Sequence, residues 1–579
     1  MKTGVQQKTI LEFREVFEEE AKPLGVYLKG ISRAKMLMVG AHFLGFDNRK
    51  SKFHNHKEFF SMYFCAENNA LANSIYKQVV KLETDGQASI IIVNALSSLQ
   101  LFEHCFENLD ETDTQTNAEI EVNLFKAYLF LNQLNTEKDS IASKSCKALG
   151  VEFQFAGMTL AQSFAYSDIE NYNLAETFTC QFVKAVYLFE FLSTHKDTEK
   201  LLEEFLKRFA CKTWKDYIKK LVPIAASVIQ NEKEGHLDIV VAKDENYETN
   251  CSFIEKLIVL DNEPITDIDF RIIRTAPLYK VEEGRYRIIF GLFVLEKIFK
   301  GLYFLLRDVN STLSKADKKK DFRSFYCDNF SEQTLLYQVL KDTYNGKYLE
   351  FTGAEMKASG IDAEPDYYIR RGNYVFPFES KDILITAETK TSRDFNLISE
   401  AFKSKFYFED VGVKISNKAV LQIVKNIGRI LRMEMPFDNV YKARSLRIYP
   451  VLVIHDQQYN LVGLNIFVNE WFVAEIQKLK DTGVDVDRVE KLTIIDIDTL
   501  IYYQDVFMSR KLILDKVIDE YYHFITLDKK RKYRDKPHLN EYIKRSIIPF
   551  SIFISQFSHA KGLGKTPAIF LKKAGTLFE

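Results

Sequence analysis

Two carboxylates and a lysine, Asp366, Glu379 and Lys381, have the types and the spacing that suit hydrolysis of a phosphodiester bond. The dipeptide Gly372-Asn373 between them is typical of a tight turn. It separates two runs rich in aromatic and β-branched residues, which predicts a β-hairpin. If the hairpin centres on Gly372, Asp366 lies opposite Phe378, one residue from Glu379. Facing residues on paired strands are about 5 Å apart, so a small register shift or bulge would bring the two carboxylates together.

Alternation along the second strand assigns these side chains to faces, with Glu379 and Lys381 on one face and Ser380 on the other. Asp366 and Glu379 offer the oxygen ligands that a hard cation such as Mg²⁺ prefers, with Mn²⁺ as the alternative ion. The backbone carbonyl of Ser380 completes the expected metal ligands. The cation would polarise the scissile phosphate and lower the pKa of bound water. Lys381 would position that water and offset the developing negative charge.

The same residues resemble the PD-(D/E)XK, or restriction-endonuclease-like, superfamily of nucleases. Pro365-Asp366 matches the first half of the motif and Glu379-Ser380-Lys381 matches the second. The resemblance covers residues 321–498 and implies a metal-dependent nuclease built on a mixed β-sheet flanked by helices. The alternative interpretation of the motif is a surface hairpin with a solvated Glu–Lys pair.

A helix is predicted ahead of the hairpin, from Glu332 to Tyr344, with Ser331 as its N-terminal cap. In the superfamily a helix at this place often supplies another acidic metal ligand. The resemblance therefore makes Glu332 the candidate, in competition with Asp362 and Glu364.

A basic helix after the hairpin supports a nucleic-acid substrate. The stretch Asn417 to Met433 has apolar residues at three- and four-residue spacing, which predicts an amphipathic helix. Cations in one row on its polar face would neutralise phosphates and make binding salt-dependent. Superfamily members often carry a glutamine or lysine on this helix, and Gln422 or Lys425 would match; a solvated helix face is the alternative interpretation. The polar row consists of Lys418, Gln422, Lys425, Arg429 and Arg432.

The charge of the chain is unevenly distributed. The formal net charge is -1, from 79 basic and 80 acidic side chains. Residues 311–579 carry a net charge of +6 and residues 1–310 one of -7, so overall neutrality does not exclude a nucleic-acid partner. The densest basic cluster spans residues 529–534 and includes Lys530 and Arg531, which could bind nucleic acid or form a solvated loop.

The elements that must position these residues change along the chain. Residues 1–310 are predicted to be a mostly helical regulatory or interaction region. The polar stretch 311–322 is predicted to be a linker, with a solvated loop inside one domain as the alternative interpretation. Residues 323–579 are predicted to form the nuclease-like domain with a helical C-terminal extension. Strands mixed with helices indicate an α/β or α+β fold with a mixed sheet. Further strands are predicted at Arg447–His455, Leu461–Val468 and Lys491–Asp498.

We expect a cytoplasmic protein, because the first residues are polar and lack a secretory signal. The seven cysteines are an odd, scattered set without C-x-x-C spacing, which argues against a disulfide framework and favours reduced thiols. The most apolar stretch, Tyr286 to Leu306, contains Glu296, Lys297 and Lys300 in its middle, which argues against a membrane span. We expect a Mg²⁺-dependent DNA endonuclease of bacterial defence against phage or foreign DNA. Its N-terminal region would bind a protein partner or self-associate. Two alternatives stay open: an inactive nuclease fold that binds nucleic acid or scaffolds a complex, and an RNA-cleaving nuclease.

Overall fold

The computed structural model of the chain describes residues 8–44, 56–86, 89–170, 172–230, 236–260, 264–344, 346–410, 412, 415–526, 536–564 and 566–577. Within these ranges the protein is mainly helical and contains a mixed β-sheet, which agrees with an α+β class. In this part of the chain we find no helix with the length and apolar character needed to cross a membrane. Lys530 and Arg531 of the predicted basic cluster lie outside the described residues.

Helices account for most of residues 8–312, as their periodicity predicts. At the longest helix, the Thr116 hydroxyl accepts the N–H of Glu119 at 3.3 Å and the Glu119 carboxylate accepts the N–H of Thr116 at 2.8 Å. This capping box satisfies backbone donors of the first helical turn. The α-helices are α1 (Phe13–Val16), α2 (Leu24–Leu28), α3 (Arg33–Leu44), α4 (His56–Tyr63), α5 (Asn69–Gly86), α6 (Ala95–Glu107), α7 (Asn117–Ser145), α8 (Val151–Phe164), α9 (Leu174–Thr194), α10 (Glu199–Arg208), α11 (Trp214–Gln230), α12 (Tyr247–Ile254), α13 (Arg271–Thr275), α14 (Gly291–Glu296) and α15 (Leu302–Thr312). The strands are β1 (Lys8–Ile10), β2 (Ser89–Ile91), β3 (Asp238–Val240), β4 (Leu278–Glu282) and β5 (Arg285–Ile288).

A mixed sheet of six strands forms the centre of the second half of the chain. The strands here are β6 (Leu349–Thr352), β7 (Tyr367–Arg371), β8 (Tyr374–Lys381), β9 (Phe408–Asp410), β10 (Ile415–Asn417), β11 (Arg447–Ile448), β12 (Val451–Ile454) and β13 (Thr493–Asp496). Their order is β13-β12-β8-β7-β6, with β11 also paired to β8, while β9 and β10 form a separate pair. The strands β6, β7 and β8 are antiparallel neighbours, and β12 runs parallel to both β8 and β13. The strand that carries Glu379 is therefore hydrogen-bonded on both sides.

Apolar side chains cover both faces of this sheet, and helices of the first region contribute to both covers. Phe376 and Phe378 of β8 pack on one face in a core that includes residues of α9 and α15. Val375 of β8 packs on the other face with residues of α8. The first of these cores includes apolar residues from before and after the polar stretch 311–322. The predicted division of the chain into two domains at this stretch stays a prediction. The later α-helices are α16 (Phe322–Phe325), α17 (Tyr337–Tyr344), α18 (Gly353–Ala358), α19 (Ala387–Thr391), α20 (Phe395–Phe406), α21 (Ala419–Leu431), α22 (Leu464–Asp481), α23 (Ile497–Tyr502), α24 (Gln504–Met508), α25 (Leu514–Ile525), α26 (Lys536–Ser546), α27 (Phe550–Ala560) and α28 (Ala568–Gly575).

The helix ahead of the hairpin begins earlier than predicted. Asp321 caps it by accepting a backbone N–H of the first turn at 2.9 Å, and the helix continues to Tyr344 through a π-helical stretch, Tyr326–Leu336. The predicted cap, Ser331, lies inside the helix, where its hydroxyl donates to Asp382 Oδ2 at 2.6 Å. The predicted start of the helix is wrong because the Ser331 hydroxyl bonds to Asp382 instead of capping a helix end. Local sequence spacing does not reveal such a contact between distant residues.

Two of the predicted strands differ in the structure. The stretch Leu461–Val468 leads into α22 rather than a strand, and Gly463, with a φ of +86°, precedes the helix. A short apolar run fits a buried helix as well as it fits a strand, so the pattern alone favoured the wrong element. The stretch Arg447–His455 forms β11 and β12, which are separated by Pro450, a residue without an N–H for the ladder.

A buried cluster of charges joins the first region to the second, and we call it the interface cluster. Lys390 of α19 lies at its centre, with Nζ 2.6 Å from Asp168 Oδ1 and 2.7 Å from Asp269 Oδ1. Burial opposes the charge of Asp168, but the neighbouring cations hold its pKa well below its usual range. Lys300 extends the cluster to Asp456, at 3.7 Å. The cluster consists of Asp168, Asp269, Arg274, Glu296, Lys300, Lys390 and Asp456.

One buried carboxyl group makes the stability of the fold depend on pH. Glu103 of α6 is 3% exposed, and burial, together with the charges of Asp267 and Glu107, raises its pKa to about 9. The unfolded chain ionises this group near the ordinary value of 4.5, so the folded protein binds more protons between the two pKa values. The contribution of Glu103 to the free energy of unfolding is therefore fully present below pH 4.5 and is lost as the pH rises towards about 9.

We expect Glu103→Gln to raise the free energy of unfolding at about pH 8 by roughly 2–4 kcal/mol and to leave it nearly unchanged at about pH 5. Urea unfolding across this pH range measures both values. Glu111→Gln, at an exposed position, is the matched control and should follow the wild type throughout. A Glu103→Gln protein with the same pH slope as the wild type would contradict the expectation.

Candidate active site

The predicted hairpin is present, and its strands meet across the two-residue turn Gly372-Asn373. Gly372 has a φ of +60°, a conformation that favours glycine. The pairing register differs by one residue from the prediction, because Phe378 faces Tyr367 rather than Asp366. A two-residue turn moves the centre of the hairpin half a residue beyond Gly372, which explains the shift. Asp366 still donates its N–H to the Phe378 carbonyl, at 3.0 Å.

Hydrogen bonds bring the three predicted catalytic residues together at the carboxyl end of β8. Asp366 Oδ2 accepts the backbone N–H of Ser380 at 2.6 Å, so its carboxylate turns towards β8. Lys381 Nζ donates to Glu379 Oε1 at 2.7 Å, which confirms that these two side chains share a face. Glu379 is 1% exposed, and its Oε2 has no hydrogen-bond partner among the described residues. The motif residues thus form a compact group around a buried glutamate rather than a solvated pair.

Burial and mutual repulsion raise the pKa of the carboxyl groups in this group. Burial, and next the charge of Asp366, raises the pKa of Glu379 to about 8. The same two causes raise the pKa of Glu332 to about 7. Burial also raises the pKa of Asp366, although the Lys381 ammonium and the Ser380 N–H oppose it. Burial opposes the charge of Lys381, but the Glu379 and Asp366 carboxylates keep its pKa above the ordinary value. Titratable groups perturbed in this way are typical of functional sites.

The π-helical stretch carries Glu332 to the edge of this group. Glu332 Oε1 accepts the Tyr337 hydroxyl at 2.7 Å. Gly353 allows the close approach, because a Cβ there would lie 2.8 Å from that hydroxyl. Gly353 also donates its N–H to the Asp366 carbonyl at 2.9 Å. Gly353 therefore contacts both Tyr337, on the helix ahead of the hairpin, and Asp366.

A histidine that sequence reasoning missed lies on the other face of β8. Ser380 Oγ and His455 Nε2 are 2.7 Å apart, since β12 runs parallel to β8 and pairs Ile454 with Lys381. Burial lowers the pKa of His455 to about 4, so the ring is uncharged near neutral pH. Its Nδ1 is buried without a partner among the described residues. The available signal was a polar residue at the end of an apolar strand, where the carboxyl ends of parallel strands meet.

The donor chemistry of the group fits a divalent cation. Asp366 and Glu379 supply carboxylate oxygens, and the buried, unpartnered Glu379 Oε2 is an atom that a cation would satisfy. A bound cation would also relieve the repulsion between the carboxylates. Within the described ranges, however, no set of three or more histidine, cysteine, aspartate or glutamate side chains is arranged to hold a metal ion. Ser380 and Glu332 stay predicted ligands, while the competing Asp362 is exposed and Glu364 half-buried.

The basic row predicted after the hairpin lies along one side of α21. The apolar side of this helix is buried against the sheet, as predicted. Arg429 Nη1 donates to the Ala363 carbonyl at 3.2 Å, which connects the helix to the loop that leads to Asp366. Lys418 Nζ lies 2.8 Å from Glu409 Oε2, so its charge is already paired. Lys425 and Arg432 are exposed, and Lys418, Gln422 and Arg429 are half-buried.

Comparisons of the chain with protein-family models, with curated proteins and with solved structures find no match. The function is therefore inferred from the residues and geometry of the site.

Proposed function

We propose that this protein is a Mg²⁺-dependent nuclease that hydrolyses phosphodiester bonds of DNA. The observation that carries the proposal is the group formed by Asp366, Glu379 and Lys381, in which the pKa of Glu379 rises to about 8. The alternative interpretation, a solvated Glu–Lys pair, does not account for a glutamate that is 1% exposed. The resemblance to the PD-(D/E)XK motif supports the same chemistry, and the mixed sheet with helices on its faces is compatible with it.

Each residue of the group has a separate role in the proposed reaction. Mg²⁺, held by Asp366, Glu379 and the Ser380 carbonyl, would stabilise charge on the phosphate and make a bound water more acidic. The Ser380 N–H fixes the orientation of the Asp366 carboxylate. Lys381 is held by Glu379 and would orient the attacking water and offset the negative charge that develops on the phosphate. Glu332 is the proposed further acidic ligand, with Mn²⁺ as the alternative ion.

Substrate would approach from the side on which Lys381 lies. The Lys381 side chain is 22% exposed, whereas Glu379 is buried behind it. The exposed Lys425 of α21 and Arg432, which follows the last residue of this helix, could contact phosphates of the substrate, which would make binding weaken as salt concentration rises. We favour DNA as substrate and place the enzyme in the cytoplasm, in defence against foreign DNA. The helical region 1–310 would then regulate it or hold a partner.

The test is cleavage of supercoiled plasmid, single-stranded DNA and single-stranded RNA by the purified protein, with Mg²⁺ or with a chelator. We expect Mg²⁺-dependent cleavage of DNA, and a loss of at least about 10³-fold in rate for Asp366→Asn. Asparagine keeps an oxygen that can accept the Ser380 N–H, so the variant should fold and should still bind DNA. Asp308→Asn, which changes an exposed carboxylate on α15, is the matched control.

Three outcomes would change the proposal. Cleavage by Asp366→Asn at the wild-type rate would show that this group is not the active site. Cleavage of RNA but not of DNA would make RNA the substrate. Salt-dependent binding without any cleavage in Mg²⁺ or Mn²⁺ would favour the inactive nuclease fold that binds nucleic acid or scaffolds a complex.

A further inference from the structure

A cavity of about 430 Å³ lies at the turn end of the hairpin, away from the candidate active site. Its walls are the hairpin turn, the residues ahead of β6 and the segment between α24 and α25. The strand from Asp366 to Gly372 is about 20 Å long at roughly 3.3 Å per residue, so the two sites are separate. The charged and aromatic residues that line the cavity are Lys347, Tyr348, Arg370, Arg371 and Arg510.

The lining of this cavity is basic, and of the described residues that form it none is acidic. Buried carboxylates behind the wall fix two of the cations. Arg370 donates to both oxygens of Asp438, at 2.6 and 2.9 Å, and Arg371 Nη2 donates to Asp515 Oδ2 at 2.6 Å. These bonds hold the two guanidinium groups in place before any ligand arrives.

The other two cations have no carboxylate partner among the described residues. Lys347 Nζ donates to the Met508 carbonyl at 2.7 Å, and the Arg510 guanidinium lies 5.7 Å from the centroid of the Tyr348 ring. Arg371 Nε is a further donor that is buried without an acceptor in the part of the chain that the structure describes. Lys347 and Arg510 therefore carry positive charge that an anion in the cavity could neutralise.

We propose that this cavity binds a nucleotide through its phosphate. Guanidinium groups match the geometry of phosphate oxygens, and Lys347 adds a compact positive charge. The cavity volume falls in the lower part of the range for small-molecule sites, roughly 300–1,000 Å³, which suits a nucleotide. Tyr348, Leu349 and Ile513 supply the apolar wall that a base would contact. The site does not depend on the nuclease activity.

The test is isothermal titration of the full-length protein with AMP, ADP, adenosine and a 5′-phosphorylated dinucleotide. We expect the phosphorylated compounds to bind with dissociation constants below about 1 mM and adenosine to bind at least about tenfold more weakly. The variants are Arg510→Gln and the double variant Lys347→Gln/Arg510→Gln, which should weaken binding by about tenfold or more. Lys511→Gln, exposed beside Arg510 but outside the cavity, is the matched control and should bind as the wild type does.

Each outcome decides the proposal once thermal unfolding shows that the variants are folded. Loss of affinity for the phosphorylated compounds in both variants, with the control unchanged, supports the proposal. Tighter binding of the dinucleotide than of AMP would identify the ligand as the phosphorylated end of a nucleic acid. The proposal is overturned if the wild type binds none of the phosphorylated compounds, if the double variant binds them equally well, or if adenosine binds as tightly as AMP.

Discussion

Lys381→Met is expected to lower the rate of Mg²⁺-dependent DNA cleavage by at least about 10³-fold while DNA binding is retained. The Lys381 ammonium donates to Glu379 Oε1 at 2.7 Å, and methionine keeps the length of the side chain without its charge. The variant would lack the cation that offsets charge on the phosphate and orients the attacking water. Cleavage of labelled plasmid DNA under single-turnover conditions measures the rate, and filter binding measures affinity.

Lys357→Met, an exposed lysine on α18, is the matched control for this loss. It should cleave at a rate within about threefold of the wild type. Lys381→Arg restores a positive charge with a different geometry, so it should recover only part of the activity. A Lys381→Met protein as active as the control would show that this lysine has no role in the reaction.

Lys390→Met is expected to lower the free energy of unfolding by about 3–5 kcal/mol, because it leaves buried carboxylates of the interface cluster without their nearest cation. Lys390 is 2% exposed and lies within 2.7 Å of both Asp168 and Asp269. Lys403→Met removes an ion pair with Glu400 that lies at the surface, and should cost no more than about 1 kcal/mol. Urea unfolding of both variants measures the difference.

A double variant measures the energy of the contact between Asp168 and Lys390 apart from their other interactions. Asp168→Asn/Lys390→Met should lose less stability than the sum of its two single variants, since each single change already removes the contact between them. Additive losses, or a Lys390→Met protein no less stable than Lys403→Met, would contradict the importance of this contact.

The hairpin could be predicted from the sequence because its signals are local. The Gly372-Asn373 turn fixes where the chain reverses, and period-two alternation places Glu379 and Lys381 on one face. The register was missed by one residue because it depends on whether the turn is centred on a residue or on a peptide bond. The catalytic role of these residues remains a prediction from their chemistry.

Other features could not be predicted because they depend on contacts between distant segments. Ser331 was expected to cap a helix, yet it bonds to Asp382, fifty-one positions away. His455 comes to Ser380 only through the parallel pairing of β12 with β8. The interface cluster and the basic cavity draw their members from separate parts of the chain, so local spacing gave no indication of either.

The π-helical stretch makes the length of the helix before the hairpin a determinant of the proposed activity. Side chains advance by about 100° per residue in an α-helix, and a π-helical turn accommodates an additional residue. Ser331 and Glu332 are adjacent, yet one bonds to Asp382 and the other to Tyr337. Arg323, nearer the start of the same helix, also bonds to Asp382. Deleting one residue between Arg323 and Ser331 would rotate one part of the helix against the other, so the contacts of both residues with Asp382 would not survive together. This helix should therefore tolerate substitutions on its exposed side far better than any change in residue number.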